Sequence, residues 1–105
     1  ECALAKRYID SNYSQNITLD SLAEITHINK FYLAHSFTEC VGQSPINYLT
    51  DRRLEACKGL LVSSNLSVAQ VATSVGFSSQ SYFSQIFRKK TGMTPRQYRS
   101  RYARK

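Results

Sequence analysis

The sequence predicts an all-α protein of seven helices, arranged as two copies of one unit. Three observations carry this. Apolar residues recur at helical spacing, and no stretch shows the alternation of a strand. The blocks TLDSLAEI (18–25), FYLAHSF (31–37) and GQSPINYL (42–49) return in the same order as SVAQVATS (67–74), SYFSQIF (81–87) and GMTPRQYR (92–99). The offset is 49 residues for the first block and 50 for the others, so one extra residue lies in GFSS (76–79) relative to THIN (26–29).

The elements follow in order. ALAKRYIDSNY (3–13) reads as an opening helix with Leu4, Tyr8 and Ile9 inward. Thr18 caps a second helix that carries Leu19, Leu22, Ala23 and Ile25. In the third, Leu33 and Phe37 stand four apart and face the core. Gly42 suits the left-handed residue that ends a helix. Ser44 caps the next, and Pro45 takes its first position, where a missing N–H costs nothing. The connector PINYLTDRRLEACKGLLVSS (45–64) buries Leu49, Leu54, Cys57 and Leu61, and its length corresponds to roughly 27 Å. Gly59 inside it is expected to mark close packing, since it costs about 1 kcal/mol against Ala.

The second copy repeats the grammar. Ser67 and Gln70 form a capping box before Val68, Val71, Ala72 and Val75. Phe83 and Phe87 replace Leu33 and Phe37; Gly92, Thr94 and Pro95 replace Gly42, Ser44 and Pro45. The repeated Gly-x-(Ser/Thr)-Pro-x-x-Tyr thus stops one helix and starts another, with Tyr48 or Tyr98 packing over the corner. A unit of about 50 residues is marginal alone. The expected organisation is therefore an N-terminal subdomain (1–44), a shared connecting helix (45–64) and a C-terminal subdomain (65–105).

Charge separates the halves. Residues 1–55 hold five Lys or Arg and seven Asp or Glu; residues 56–105 hold nine Lys or Arg and no acid, for a net charge of +7. A long stretch without a carboxylate suits a polyanionic partner better than it suits solubility. No run approaches the ~20 apolar residues of a membrane helix, and the opening residues are no signal peptide. The first residue is Glu, as expected of a fragment or a processed chain. Cys2, Cys40 and Cys57 have no metal-ligand spacing and read as free thiols of a reducing cytoplasm. No HExxH, phosphate-cradling glycine loop or Ser/His/Asp set is present, so neither an enzyme nor a cofactor is expected.

A short helix, a tight turn and a second helix is the arrangement that lays one helix in a DNA major groove. The outward face of the second helix tests it. Opposite Leu33 and Phe37 lie Phe31, Ala34, His35 and Thr38; opposite Phe83 and Phe87 lie Ser81, Ser84, Gln85 and Arg88. Neither set contains a carboxylate. Gln reads adenine, Ser either partner, and an apolar group the thymine methyl. Two such helices on a connector of roughly 27 Å, with the offset of each helix from its end, can enter grooves about 34 Å apart. Their outward residues differ, which predicts an asymmetric site.

SVAQVATSVGFSSQSYFSQIFRKKTGMTPRQYR (67–99), with YLTDRRLEACKGLL (48–61) and the first copy, resembles the AraC/XylS family of bacterial transcription regulators. The resemblance runs from about residue 3 to residue 100. It implies two helix-turn-helix subdomains joined by a long helix, binding promoter DNA in adjacent major grooves. It also implies RNA polymerase subunits as partners and a separate sensing or dimerising domain, which nothing here matches. Carried over residue by residue, it puts Lys30, Phe31, Ala34 and His35 in the first groove and Gln80, Ser81 and Gln85 in the second.

Two departures stand out. Such proteins often have Arg where His35 and Gln85 stand, and Thr38 and Glu39 replace a commonly basic pair. The second subdomain is therefore expected to supply most of the electrostatic affinity. Ser84 joins the base-reading set from its outward position. Thr38, Arg88, Lys89, Lys90 and Arg96 are the expected phosphate contacts. Arg53 and His27 read as structural. Arg99, Arg101, Arg104 and Lys105 fit either phosphate contacts or a basic tail. The competing function is a protein-interaction module that contacts the transcription machinery.

Overall fold

The structure, a computed structural model, describes residues 2–103; Arg104 and Lys105 of the expected basic tail lie outside the described residues. It has seven helices among them: α1 (Cys2–Asn12), α2 (Leu19–Thr26), α3 (Lys30–Val41), α4 (Pro45–Ser63), α5 (Val68–Ser74), α6 (Gln80–Thr91) and α7 (Pro95–Tyr102). The described residues contain no strand. The chain divides into two compact units between Arg52 and Arg53, inside α4.

In the first unit, α1, α2 and α3 pack on one another. Their core is Ala5, Ile9, Ile17, Leu22, Leu33, Phe37 and Leu49. One inward assignment is corrected. Leu4 is 41% exposed, and Ala5 is buried in its place. Ala5 and Ile9 lie one turn apart on the face that meets the core, and Leu4 lies about 100° away from Ala5. Ile25 is likewise at the surface, while Thr26 is buried. Thr26 sits one turn beyond Leu22 and donates its hydroxyl to the Leu22 carbonyl at 2.8 Å, so its burial leaves no polar group unpaired.

In the second unit, α6 packs on α5 and on α7. Its core takes Leu54, Cys57, Leu61, Val68, Val71, Ala72, Val75, Phe77, Phe83 and Phe87. A run of aromatic contacts crosses it: Phe77–Phe83 at 5.2 Å, Phe83–Phe87 at 5.6 Å, Phe87–Tyr98 at 5.4 Å and Tyr98–Tyr102 at 4.7 Å between ring centroids. Edge-to-face pairs at such distances add about 0.5–1.5 kcal/mol beyond area burial.

The caps are those the sequence predicts. Thr18 and Ser21 bond reciprocally at 3.0 and 2.9 Å, Ser67 and Gln70 at 3.1 and 2.9 Å, and Thr94 and Gln97 at 3.1 and 2.9 Å. The Ser44 hydroxyl accepts from the Asn47 N–H at 3.1 Å. Gly42 and Gly92 end α3 and α6 with φ of 93° and 81°, where a side chain would be strained. Tyr48 lies edge-on to Phe37 at 5.7 Å, as Tyr98 does to Phe87, so both corner tyrosines pack as expected.

The expected close packing at Gly59 is overturned. Gly59 is exposed, and a Cβ built on it would meet nothing within 4 Å. Arg99 is also corrected, from a phosphate or tail residue to a structural one. Its Nε donates to the Leu61 carbonyl at 2.9 Å and its Nη2 to the Ser64 carbonyl at 3.4 Å. It thereby satisfies carbonyls at the C-terminal end of α4 that have no partner within the helix.

Candidate nucleic-acid interface

Each unit presents one helix in the same manner. From residue 31 to residue 48, every position is as buried, half-buried or exposed as its counterpart 50 residues later. Leu33 and Phe37, like Phe83 and Phe87, turn inward, and the opposite faces of α3 and α6 are left uncovered.

The turns that aim these helices are built alike. In the first unit His27 takes the left-handed conformation, with φ of 59°, and the Ile28 N–H returns to the Ala23 carbonyl at 3.2 Å. In the second, Gly76 takes that role with φ of 105°, and the Phe77 N–H returns to the Ala72 carbonyl at 3.0 Å. Asn29 and Ser79 are the N-caps that follow. His27 and Gly76 are 49 residues apart and the two caps 50, which places the inserted residue at Ser78. The Asn29 side chain accepts from the N–H groups of Phe31 (2.9 Å) and Tyr32 (3.3 Å). Ser79 accepts from that of Tyr82 at 3.2 Å. Both helix starts are thus capped by the side chain that precedes them.

On α3, Phe31 is 73% exposed, His35 and Thr38 are exposed, and Lys30 and Ala34 are half-buried. The polar groups are engaged. Lys30 Nζ lies 3.0 Å from Asp20 Oδ1 and 5.5 Å from the Phe31 ring centroid. His35 Nε2 lies 3.5 Å from Glu39 Oε2, and Thr38 donates to the Ala34 carbonyl at 2.8 Å. The expectation of a face without carboxylates fails here. Glu39, one helical turn past His35, reaches it from the side.

On α6, Gln80, Ser81 and Gln85 are exposed and Ser84 is half-buried. Gln80, Ser81 and Gln85 make no side-chain hydrogen bond to the described residues, so their donors and acceptors face outward unspent. Arg88, Lys89 and Lys90 occupy the last turn, where the helix dipole favours cations. Arg96 is exposed in the first turn of α7. Arg53 is half-buried. Its guanidinium lies 5.7 Å from the Phe77 ring centroid, and burial pulls its pKa below the usual value.

Two residues that periodicity passed over join the surface. Tyr32 and Tyr82 occupy equivalent positions and are 63% and 51% exposed. Each lies about 100° from its neighbour Phe31 or Ser81, so a strict helical wheel omits it. The signal was the repeat, which places a Tyr in second position of both FYLAHSF and SYFSQIF.

A family model described as a helix-turn-helix domain matches residues 22–101. The chain belongs to the AraC/XylS family. This AraC-type domain is a DNA-binding domain of the transcription-regulator kind. It is 34% identical over 96 residues to the bifunctional transcriptional activator/DNA repair enzyme AdaA of Bacillus subtilis, covering 91% of this chain and 46% of AdaA. Only the helix-turn-helix part of AdaA is matched. The C-terminal domain of AraT, a response regulator from Geobacillus stearothermophilus, superposes with a TM-score of 0.95 at 35% identity, over 99% of this chain and 87% of that one. The DNA-binding domain of AdpA, a global transcriptional factor solved in complex with a target DNA, superposes with a TM-score of 0.92 at 25% identity, over 96% of this chain and 91% of that one. The AraC-type domain spans less than half the length of AdaA and of three further bacterial regulators that it matches. Among the described residues, no helix is long and apolar enough to cross a membrane.

Proposed function

We propose that this domain binds a specific, asymmetric stretch of double-stranded promoter DNA, with α3 and α6 in successive major grooves. The repeated exposure pattern is the observation that carries the reading: two copies of one unit each leave the same helix face free, and the faces carry unlike residues. The likeness to AdpA, whose domain was solved on its target DNA, supports it. α4 has 19 residues, a length of about 28 Å against a groove repeat of about 34 Å, which suits it as the spacer.

The roles follow from chemistry. Gln80 and Gln85 each suit adenine, which offers a donor and an acceptor to one amide. Ser81 and Ser84 suit either partner of a pair. Lys30, Phe31, Ala34 and His35 read the other half-site. Arg88, Lys89, Lys90 and Arg96 neutralise phosphates, with the Tyr32 and Tyr82 hydroxyls as uncharged phosphate contacts that fix register, joined by Thr38 when its hydroxyl turns from the Ala34 carbonyl. The basic second unit supplies most of the salt-dependent affinity. A sensing or dimerising domain of the same protein and subunits of RNA polymerase complete the proposed function, in the cytoplasm of a bacterium.

Salt dependence tests the reading. Neutralising about five to eight phosphates gives a log–log slope of affinity against salt of roughly −4 to −7. A slope near zero would point to a protein partner. Gln85→Ala should weaken the best site by about 1–3 kcal/mol and relax preference at one base pair, whereas Arg88→Ala should weaken all sequences alike.

A further inference from the structure

The two reading faces differ in kind. On the α3 face Lys30 lies against Asp20 at 3.0 Å, His35 Nε2 against Glu39 at 3.5 Å, and the Thr38 hydroxyl donates to the Ala34 carbonyl at 2.8 Å, which leaves the Tyr32 hydroxyl, assigned above to phosphate. What this face chiefly offers to base edges is apolar. The Phe31 ring is 73% exposed, and the Ala34 methyl lies one turn further along the same face. The α6 face is the reverse, with free amides and hydroxyls and no exposed apolar group at Gln80, Ser81 or Gln85.

The major groove has one apolar feature, the C5 methyl of thymine. Resting on the proposed function above, we infer that α3 selects its half-site through thymine methyls, packed against Phe31 and Ala34, and not through hydrogen bonds to guanine. The half-site under α3 is A·T-rich for that reason. The Lys30 Nζ lies 5.5 Å from the Phe31 ring centroid, and the Asn29 side chain accepts from the Phe31 backbone N–H, which sets this residue in the first turn of the helix, where contact with base edges is closest. The exposed ring is thus a positioned reading element on a face otherwise poor in free donors.

Replacing thymine by deoxyuridine removes the methyl and keeps the base pairing. The test uses a duplex selected by this chain from random sequence, with the α6 half-site assigned as the one where Gln85→Ala relaxes preference. Uracil is then introduced into one half-site at a time. Uracil under α3 should weaken binding roughly fourfold for each methyl in contact, and uracil under α6 less than twofold. Phe31→Ala should lose most of this discrimination, keeping at most what Ala34 supplies; its fold is checked by circular dichroism, the residue being at the surface. Equal affinity of the unaltered chain for thymine and uracil under α3 overturns the inference, as does a Phe31→Ala variant that tells them apart as well as the unaltered chain does. Failure to bind any selected duplex overturns the proposed function, and this inference with it.

Discussion

The two corner tyrosines occupy the same motif and make the same ring contact, yet their hydroxyls differ, and a matched pair of substitutions exploits this. Tyr48 donates to Asp10 Oδ1 at 2.6 Å, the oxygen that also accepts from Arg52 Nε at 3.0 Å. The Tyr98 hydroxyl meets no partner among the described residues. Tyr48→Phe keeps the edge contact with Phe37 and deletes one bond to a charged acceptor, a bond worth about 1.5–3 kcal/mol when fully shielded. The Asp10 side chain is 35% exposed and retains Arg52, so water and the guanidinium take up part of the loss. The expected cost is about 1–1.5 kcal/mol, a fall in Tm of about 5–10 °C for a chain of this size. Tyr98→Phe should stay within about 0.5 kcal/mol. Urea unfolding followed by circular dichroism measures both, with the slope m unchanged.

The same bond has a signature in alkali. Burial, and then the hydrogen bond to Asp10, push the Tyr48 pKa from 10.0 up to about 12. A raised folded-state pKa gives stability that is complete below pH 10 and disappears as the pH rises towards 12. The native chain should therefore lose more stability across that window than Tyr48→Phe does. Equal costs for Tyr48→Phe and Tyr98→Phe, or an identical alkaline loss in native chain and variant, would refute the reasoning.

Gly59→Ala should stabilise the chain by about 0.5–1 kcal/mol, because the added methyl meets open space and the helix gains propensity; a lowered Tm would contradict the exposed placement. Arg99→Met should cost about 1–2 kcal/mol through the lost bonds to Leu61 and Ser64 while leaving the salt slope of DNA binding unchanged; a slope reduced by about one would make it a phosphate contact. Cys40 is exposed, whereas burial pushes the Cys57 thiol up to about 12, so a thiol reagent at pH 8 should label Cys40 at once and Cys57 only on unfolding. Fast labelling of Cys57 in the folded chain would contradict its place in the core.

What the sequence disclosed was local or periodic. Caps such as Thr18, Ser67 and Thr94 act within three residues, and the α4 stripe of Leu49, Leu54, Cys57 and Leu61 is set by helical spacing, so both were legible. The repeat made the corner role of Tyr48 and Tyr98 readable twice. The misses have separate causes. The bonds of Tyr48 and Arg52 to Asp10, and of Arg99 to Leu61, join residues 38 to 42 apart, and no pattern encodes such pairs. Leu4 is apolar but off register, and Ala5 fits the buried face better, just as a self-satisfied Thr26 is buried where Ile25 beside it is not. Glu39 was legible as an i,i+4 partner of His35 but stood outside the residues assigned to the reading face. Gly59 shows that a helical glycine does not by itself report a close neighbour.

Hydroxyl-radical footprinting of this chain on a duplex selected from random sequence tests the central claim most directly. Two protected blocks of unlike sequence are predicted, centred about 10 base pairs apart on one face of the duplex. A lone block, or two blocks related as a palindrome, would contradict it.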